Sequence, residues 1–275
     1  MISTSTTSLN NGVQMPRIGF GVFQIPPGEK TYDAVRTALK LGYRGLDTAA
    51  VYGNEEDVGR GIRDGGIDPA EIFVTTKVWT SDHGYDNALR AFEESKAKLG
   101  LDAIDLYLIH WPAKADFGET WRALEKLYRE KQVRAIGVSN FLIHHLETLL
   151  ETAEITPAVN QVELHPFNVQ AQLHGFCRKA KIQVQAWSPL VRGQFFEHPL
   201  IAEIAQRHGR SPAQVLIRWD LQHEVVTIPR STREAHIREN SEVFDFELTV
   251  EEMSRLDALD EGKRIGPDPD TFVGY

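Results

Sequence analysis

The 275 residues include a single cysteine, Cys177, so no intramolecular disulfide can form and no cysteine cluster can hold zinc. One cysteine in a chain of this length fits a reducing compartment. A basic excess is also missing. Thirty Lys and Arg stand against 39 Asp and Glu, a net charge of −9, whereas a protein drawn to a phosphate backbone normally carries the opposite balance. Nucleic acid is therefore not an expected partner. No stretch approaches the roughly 18 apolar residues of a membrane span, and the opening MISTSTTSLNNGVQ lacks the basic start and apolar run of a secretory signal. These features predict a cytoplasmic protein with no membrane contact. Gly19-Phe-Gly21 continues as Val-Phe-Gln, so the glycine fingerprint of a Rossmann dinucleotide site is missing. The first strand has no His-x-His pair, and the adjacent His144 and His145 are expected on different faces of a helix, so no metal site is expected. A Gly-x-Ser-x-Gly elbow and a phosphate loop are likewise absent, which sets aside acyl and phosphoryl transfer.

What the chain does have is alternation. Short runs rich in β-branched and aromatic residues recur at Arg17–Gly21, Gly45–Thr48, Ile72–Thr76, Ile104–Ile109, Val133–Val138, Ala158–Gln161, Ile182–Trp187 and Val225–Ile228. Segments with helical spacing of apolar residues follow them, near 29–41, 54–64, 85–99, 119–131, 142–152, 170–180, 199–208 with 212–222, and 233–240. Eight such units in a chain of 275 residues predict an α/β protein built as a (β/α)8 TIM barrel, with a doubly wound open sheet as the rival. Asn11-Gly12 between Leu9 and Val13 predicts an N-terminal hairpin that could plug the barrel's lower end. Thr249 with Glu252 three residues on predicts an extra C-terminal helix opened by a capping box. No linker interrupts the series, so residues 1–275 read as one domain, and the tail from Gly262 to Tyr275 is Pro- and Asp-rich. Without a heptad seam or large apolar stripe, a monomer is expected.

Chemistry in a parallel barrel sits at the carboxyl ends of the strands. Strand two ends at Asp47, with Tyr52 in the following loop; strand three runs into Lys77; strand four delivers His110 and Trp111. An acid, a phenol, an ammonium and an imidazole at neighbouring strand ends suggest proton transfer. A tyrosine with its ordinary pKa of about 10 is a poor acid at neutral pH. An adjacent ammonium at Lys77 would stabilise the phenolate and lower that value, and Asp47 would hold the buried ammonium in place. His110 could orient a carbonyl. The other strand ends carry neutral donors and acceptors: Ser139 and Asn140, Gln161 with Glu163 and His165 beyond it, and Trp187-Ser188; Pro229-Arg230-Ser231 ends the eighth.

The strings Asp47-Thr-Ala-Ala-Val-Tyr52-Gly-Asn-Glu55, Lys77-Val-Trp79, Asp105-Leu-Tyr-Leu-Ile-His110-Trp-Pro112, Gly137-Val-Ser-Asn140, Asn160-Gln-Val-Glu-Leu-His-Pro166 and Ile228-Pro-Arg-Ser231 together resemble the aldo-keto reductase family. The likeness runs from residue 9 to 272 and is greatest to the bacterial group that includes 2,5-diketogluconate reductases. It implies reversible, nicotinamide-dependent reduction of an aldehyde or ketone. Tyr52 would be the proton donor, Lys77 and Asp47 would tune it, and His110 would position the carbonyl. The resemblance also implies cofactor contacts. Ser139, Asn140 and Gln161 would meet the carboxamide, and Trp187 would lie under the nicotinamide ring. Gly21, Val22, Ser188, Leu190 and Arg192 would meet the middle of the cofactor, and Arg230, Ser231, Thr232, Arg233, His236, Glu239 and Asn240 its adenosine end.

Family members commonly have Lys where Arg230 stands and Arg where His236 stands. A guanidinium at Arg230 suits a 2′-phosphate, but a neutral imidazole attracts it less than guanidinium does. The expected cofactor is therefore NADPH, with appreciable use of NADH. Phe23, Trp79 and Trp111 resemble the aromatic wall of a substrate pocket. A short loop at Pro112–Gly118 predicts an open, shallow pocket for small aldehydes, dicarbonyls or sugar-derived ketones. The alternative is a nicotinamide-binding regulatory or structural protein with little turnover, since relatives of the family also serve as channel subunits or lens proteins.

Overall fold

The computed structural model describes residues 5–113 and 117–274. It opens with β1 (Thr6–Ser8) paired antiparallel with β2 (Gln14–Pro16). From this hairpin Leu9 and Met15 join Phe73, Leu106, Leu108, Ala135, Val159 and Val226 in one apolar cluster. Phe73, Val159 and Val226 are the first residues of their strands, so the hairpin seals the lower end of the barrel.

The barrel strands lie side by side in chain order, each parallel to the next: β3 (Phe20–Gly21), β4 (Gly45–Asp47), β5 (Phe73–Val78), β6 (Ile104–Ile109), β7 (Val133–Ser139), β8 (Val159–Glu163), β9 (Gln183–Trp187) and β10 (Val226–Thr227). The first and last close on each other. Gly19 donates its N–H to the Thr227 carbonyl at 2.9 Å, and Thr227 donates to the Arg17 carbonyl at 3.1 Å, with Ile18 bridged to Thr227 in parallel. Closure eliminates the open-sheet rival. The closing ladder is short because Pro229 has no N–H to continue it, although its carbonyl still accepts from Gly21 at 3.2 Å.

Helices α1 (Glu29–Lys40), α2 (Glu55–Arg63), α3 (Tyr85–Leu99), α4 (Phe117–Arg129), α5 (Ile143–Leu150) and α6 (Ala171–Lys179) each cross from one strand to the next. Two helices, α7 (Pro199–His208) and α8 (Pro212–Gln222), share the last crossover. Beyond β10 come α9 (Glu234–Ser241) and α10 (Val250–Asp257). The capping box of α10 is made in both directions: Thr249 Oγ1 accepts from the Glu252 N–H at 3.1 Å, and Glu252 Oε2 accepts from the Thr249 N–H at 2.8 Å.

Strand alternation aims the site residues. In β5, Val74 and Val78 join the large cluster under the helices while Phe73 joins the inner one. Thr75 and Lys77 share the parity of Phe73 and therefore face the barrel interior. The same parity carries the inward series Leu106 and Leu108 to His110, and Val159 to Gln161 and Glu163. Lys77 lies inside β5 and Glu163 closes β8, so both strands run two residues past their expected ends.

Candidate active site

The upper end of the barrel opens into a cleft of about 450 Å³. Of the residues singled out by sequence, Gly21, Phe23, Asp47, Tyr52, Trp79, His110, Trp111, Ser139, Asn140, Gln161, Trp187, Ser188, Leu190, Arg192 and Arg230 line it. Lys77 is fully buried behind them. Val22 is buried too, its N–H donated to the Asp47 carbonyl at 3.0 Å. Ser231, Thr232, Arg233, His236, Glu239 and Asn240 do not line the cleft; they lie along the loop after β10 and on α9, with Thr232, Arg233 and His236 exposed and Asn240 buried.

The catalytic candidates form a connected set. Lys77 Nζ donates to Asp47 Oδ1 at 2.6 Å and to the Thr48 carbonyl at 2.8 Å. The other carboxylate oxygen of Asp47 accepts from Gln161 Nε2 at 2.7 Å, and that amide also donates to Gln185 Oε1 at 2.8 Å. Burial pulls the Lys77 ammonium below its ordinary value, and the Asp47 charge opposes the fall. Lys77 Nζ stands 5.1 Å from the Tyr52 ring centroid. The turn carrying Tyr52 is pinned by Thr48 Oγ1, which donates to Asn54 Oδ1 at 2.9 Å, and by Thr76 Oγ1, which donates to Glu55 Oε1 at 2.6 Å.

The Tyr52 shift runs opposite to the direction expected from sequence. Burial first, and the negative charge of Asp47 second, push its hydroxyl well above the ordinary phenol value. The Lys77 ammonium does not reverse this rise. Tyr52 thus holds its proton firmly at neutral pH. The His110 ring packs edge-on against Tyr52 with centroids 5.6 Å apart. Burial, then the positive charge of Lys77, hold His110 well below the ordinary imidazole range, so it is neutral at pH 7. Its Nδ1 is buried without a partner. Placing the single proton on Nε2 avoids burying an unpaired N–H donor.

The walls differ in character. Trp79 and Trp111 meet Phe272 of the C-terminal tail at centroid distances of 5.9 and 4.2 Å. Gly266 and Pro267 of the same tail also line the cleft. The tail therefore covers a pocket that the short 112–118 loop had predicted to be open and shallow; residues 114–116 of that loop lie outside the described residues. On the far wall Trp187 Nε1 donates to Asn140 Oδ1 at 2.9 Å, while Asn140 Nδ2 donates to the His110 carbonyl at 2.9 Å and to Ser139 Oγ at 3.1 Å. Gln24, Asn140, Ser188 and Arg192 all line the cleft with positive φ, the backbone strain that collects at functional sites. At the mouth, burial and the neighbouring Arg192 guanidinium pull Arg230 below its ordinary value. Among the described residues neither arginine makes an ion pair with a carboxylate.

The expectation that His144 and His145 point apart is also overturned. Their rings lie 4.0 Å apart, and both Nε2 atoms face Asp270 Oδ1, at 2.9 and 3.5 Å. They occupy the first turn of α5, where His145 Nδ1 accepts the Leu142 N–H at 3.2 Å and turns that ring back over the helix start. That bond leaves the proton of neutral His145 on Nε2, facing Asp270 as a donor rather than as a metal ligand.

Sequence reasoning missed Gln185, Asn54, His83 and the tail residues Gly266 and Phe272. The period-two pattern of β9 could have found Gln185, since Gln183, Gln185 and Trp187 share one parity. Nothing local marked the tail.

This barrel, with a tyrosine, lysine, aspartate and histidine at its mouth, defines the class of protein. A model of the Aldo/keto reductase family matches residues 17–261, and the chain belongs to that family. It is 53% identical over 268 residues to a glyoxal reductase of Bacillus subtilis, covering 98% of this chain and 97% of the relative. It is 42% identical over 278 residues to the methylglyoxal reductase DkgA of Escherichia coli, covering 100% of both. A solved structure of a Gox0644 mutant in complex with NADPH superposes with a TM-score of 0.93 at 44% identity, covering 98% of each chain.

Proposed function

We propose that this protein reduces small aldehydes, ketones or dicarbonyls to alcohols, using NADPH and taking the proton from Tyr52. The observation that carries the proposal is the buried Asp47–Lys77 pair, 2.6 Å apart, set behind Tyr52 and His110 at the floor of one cleft. The glyoxal and methylglyoxal reductases among its relatives favour small dicarbonyls.

The residues present suit a dinucleotide. Gln161 spends both amide protons on Asp47 and Gln185, which leaves its Oε1 to accept from a carboxamide, beside Ser139 and Asn140. Trp187 supplies a flat apolar face for the nicotinamide ring. Gly21, Val22, Ser188, Leu190 and Arg192 would meet the central part. Arg230, with Ser231, Thr232, Arg233, His236, Glu239 and Asn240 beyond it, would hold the adenosine end. Arg192 and Arg230, charged and without a carboxylate, are suited to phosphate. Bound NADPH supplies the hydride that the carbonyl carbon receives.

The chain's own residues manage the proton. His110, neutral with Nε2–H toward the cleft, donates a hydrogen bond that orients the carbonyl oxygen. Tyr52, whose hydroxyl is held protonated, gives up its proton only as that oxygen gains alkoxide character and becomes far more basic than phenolate. The phenolate left at Tyr52 Oη is then stabilised by the Lys77 ammonium, which Asp47 keeps charged and in place. Raising the resting pKa thus does not oppose catalysis: it keeps the acid loaded.

Among the described residues the exposed large apolar ones are Phe23, Val51, Val250 and Val273, and Phe23 and Val51 belong to the cleft mouth. We infer from this scatter one 275-residue domain acting as a 31.0 kDa monomer, which sedimentation will check. The function is tested by following absorbance at 340 nm across aldehydes, dicarbonyls and keto-sugars with each nicotinamide. Turnover of small carbonyls, faster with NADPH and measurable with NADH, is expected. Tight cofactor binding without turnover of any carbonyl would instead support a regulatory or structural role.

A further inference from the structure

The family match stops at residue 261, yet the segment beyond it lies against the cleft. Its attachment is specific. Glu163, the last residue of β8 and fully buried, accepts the Ile265 N–H on Oε1 at 2.6 Å and the Gly266 N–H on Oε2 at 3.1 Å. His165 Nε2 lies 3.1 Å from Oε1. Both carboxylate oxygens are therefore occupied as acceptors, by main-chain donors more than 100 positions away in sequence.

Glu163 also stands opposite Trp187 in the β8–β9 register. The main chain that it holds rests on the far end of that indole: a Cβ built on Gly266 would come 2.3 Å from Trp187 Cη2 and 3.1 Å from Cζ3. Only a residue without a side chain fits such an approach. The opposite edge of the ring is fixed by the Nε1 hydrogen bond to Asn140 Oδ1 at 2.9 Å. Trp187 is thus gripped at both ends, by Asn140 on one side and by Glu163 acting through Gly266 on the other.

We propose that Glu163 is a positioning residue for cofactor binding: by holding residues 265–266 against Trp187, it fixes the plane on which the nicotinamide lies. This rests on the cofactor reading above. Preorganised flat surfaces bind well because the ring need not be ordered when the ligand arrives.

Two variants test it from opposite directions. Glu163→Gln keeps the shape but replaces one acceptor oxygen with an NH2 that cannot take a main-chain N–H. Gly266→Ala keeps Glu163 and pushes a methyl group into the indole. NADPH and NADP⁺ affinities are read by quenching of tryptophan emission, with melting temperature and steady-state kinetics measured on the same preparations. Both variants are expected to raise Kd for the nicotinamides roughly tenfold, a shift of about 1.4 kcal/mol, and to lower the quenching at saturation. For Glu163→Gln, whose side chain does not line the cleft, the carbonyl KM at saturating cofactor should stay within about twofold, because Tyr52 and His110 are untouched. Folded variants with parental nicotinamide affinity would overturn the role of Glu163, whatever happens to their melting temperature. In Glu163→Gln, a loss confined to the carbonyl KM would overturn it as well. Failure of the parent protein to bind either nicotinamide would instead remove the cofactor reading itself, a distinct result.

Discussion

Replacing Asp47 with Asn leaves the side-chain volume unchanged and removes the charge facing a fully buried ammonium. Asp47 is 3% exposed and Lys77 0%, with Nζ and Oδ1 2.6 Å apart. Breaking such a pair from one side costs about 3 to 5 kcal/mol, because the remaining charge is buried without compensation. That is a large share of a total stability of roughly 5 to 15 kcal/mol. The new amide also turns an N–H toward Gln161 Nε2, which now donates to Asp47 Oδ2 at 2.7 Å, so Gln161 must flip or lose its partner. The deficit has a pH signature. Burial already pulls the Lys77 pKa down and Asp47 opposes the fall; without Asp47 the folded value drops further below the unfolded value of about 10.4. Between those two values the unfolded chain binds the extra proton, so stability rises with pH across the window. Urea unfolding of Asp47→Asn should show the full deficit at pH 7 and a smaller one at pH 9.5. A loss below about 1 kcal/mol, or one that does not change with pH, would refute the buried-pair reasoning.

Two further expectations follow from other groups. Burial lowers the pKa of His83 to about 4, against an unfolded value of about 6.5. It therefore stabilises the fold fully above pH 6.5, and roughly 3 kcal/mol is lost as pH falls from 6.5 toward 4. His83→Leu should flatten the acid limb of the melting curve by that amount, and an unchanged limb would contradict the assignment. Arg230→Ala should raise the KM for NADPH by about tenfold to a hundredfold, as loss of a charged hydrogen bond does, with little change for NADH. Equal losses with both cofactors would place Arg230 away from the 2′-phosphate.

Much of this architecture was legible because it is repetitive. The βα rhythm gave eight strands, the Asn11-Gly12 turn gave the hairpin, and Thr249 with Glu252 gave the final helix. Strand ends were less legible: β5 and β8 run on because their ladders continue with β6 and β9 through Val78 and Glu163, which single-strand composition does not reveal. The four catalytic candidates could be found because an acid, a phenol, an ammonium and an imidazole fall together at neighbouring strand ends and the loop after one of them. What could not be read were consequences of long-range contact. The sign of the Tyr52 shift depends on how deeply the folded chain buries its hydroxyl and how near it brings Asp47. The convergence of His144 and His145 on Asp270 depends on where the tail travels. The grip on Trp187 depends on Glu163 meeting residues 265 and 266, and no local pattern near either segment announces the other.

The most direct measurement of the central claim is the turnover of Tyr52→Phe with a small dicarbonyl such as methylglyoxal, alongside its affinity for NADPH. Removing one oxygen deletes the proton donor and leaves the Asp47–Lys77 pair and the cleft in place. The account predicts that NADPH binds with near-parental affinity while NADPH oxidation falls by at least roughly a hundredfold, the lower range for loss of a general acid. Retained turnover would contradict it, because another group would then be supplying the proton.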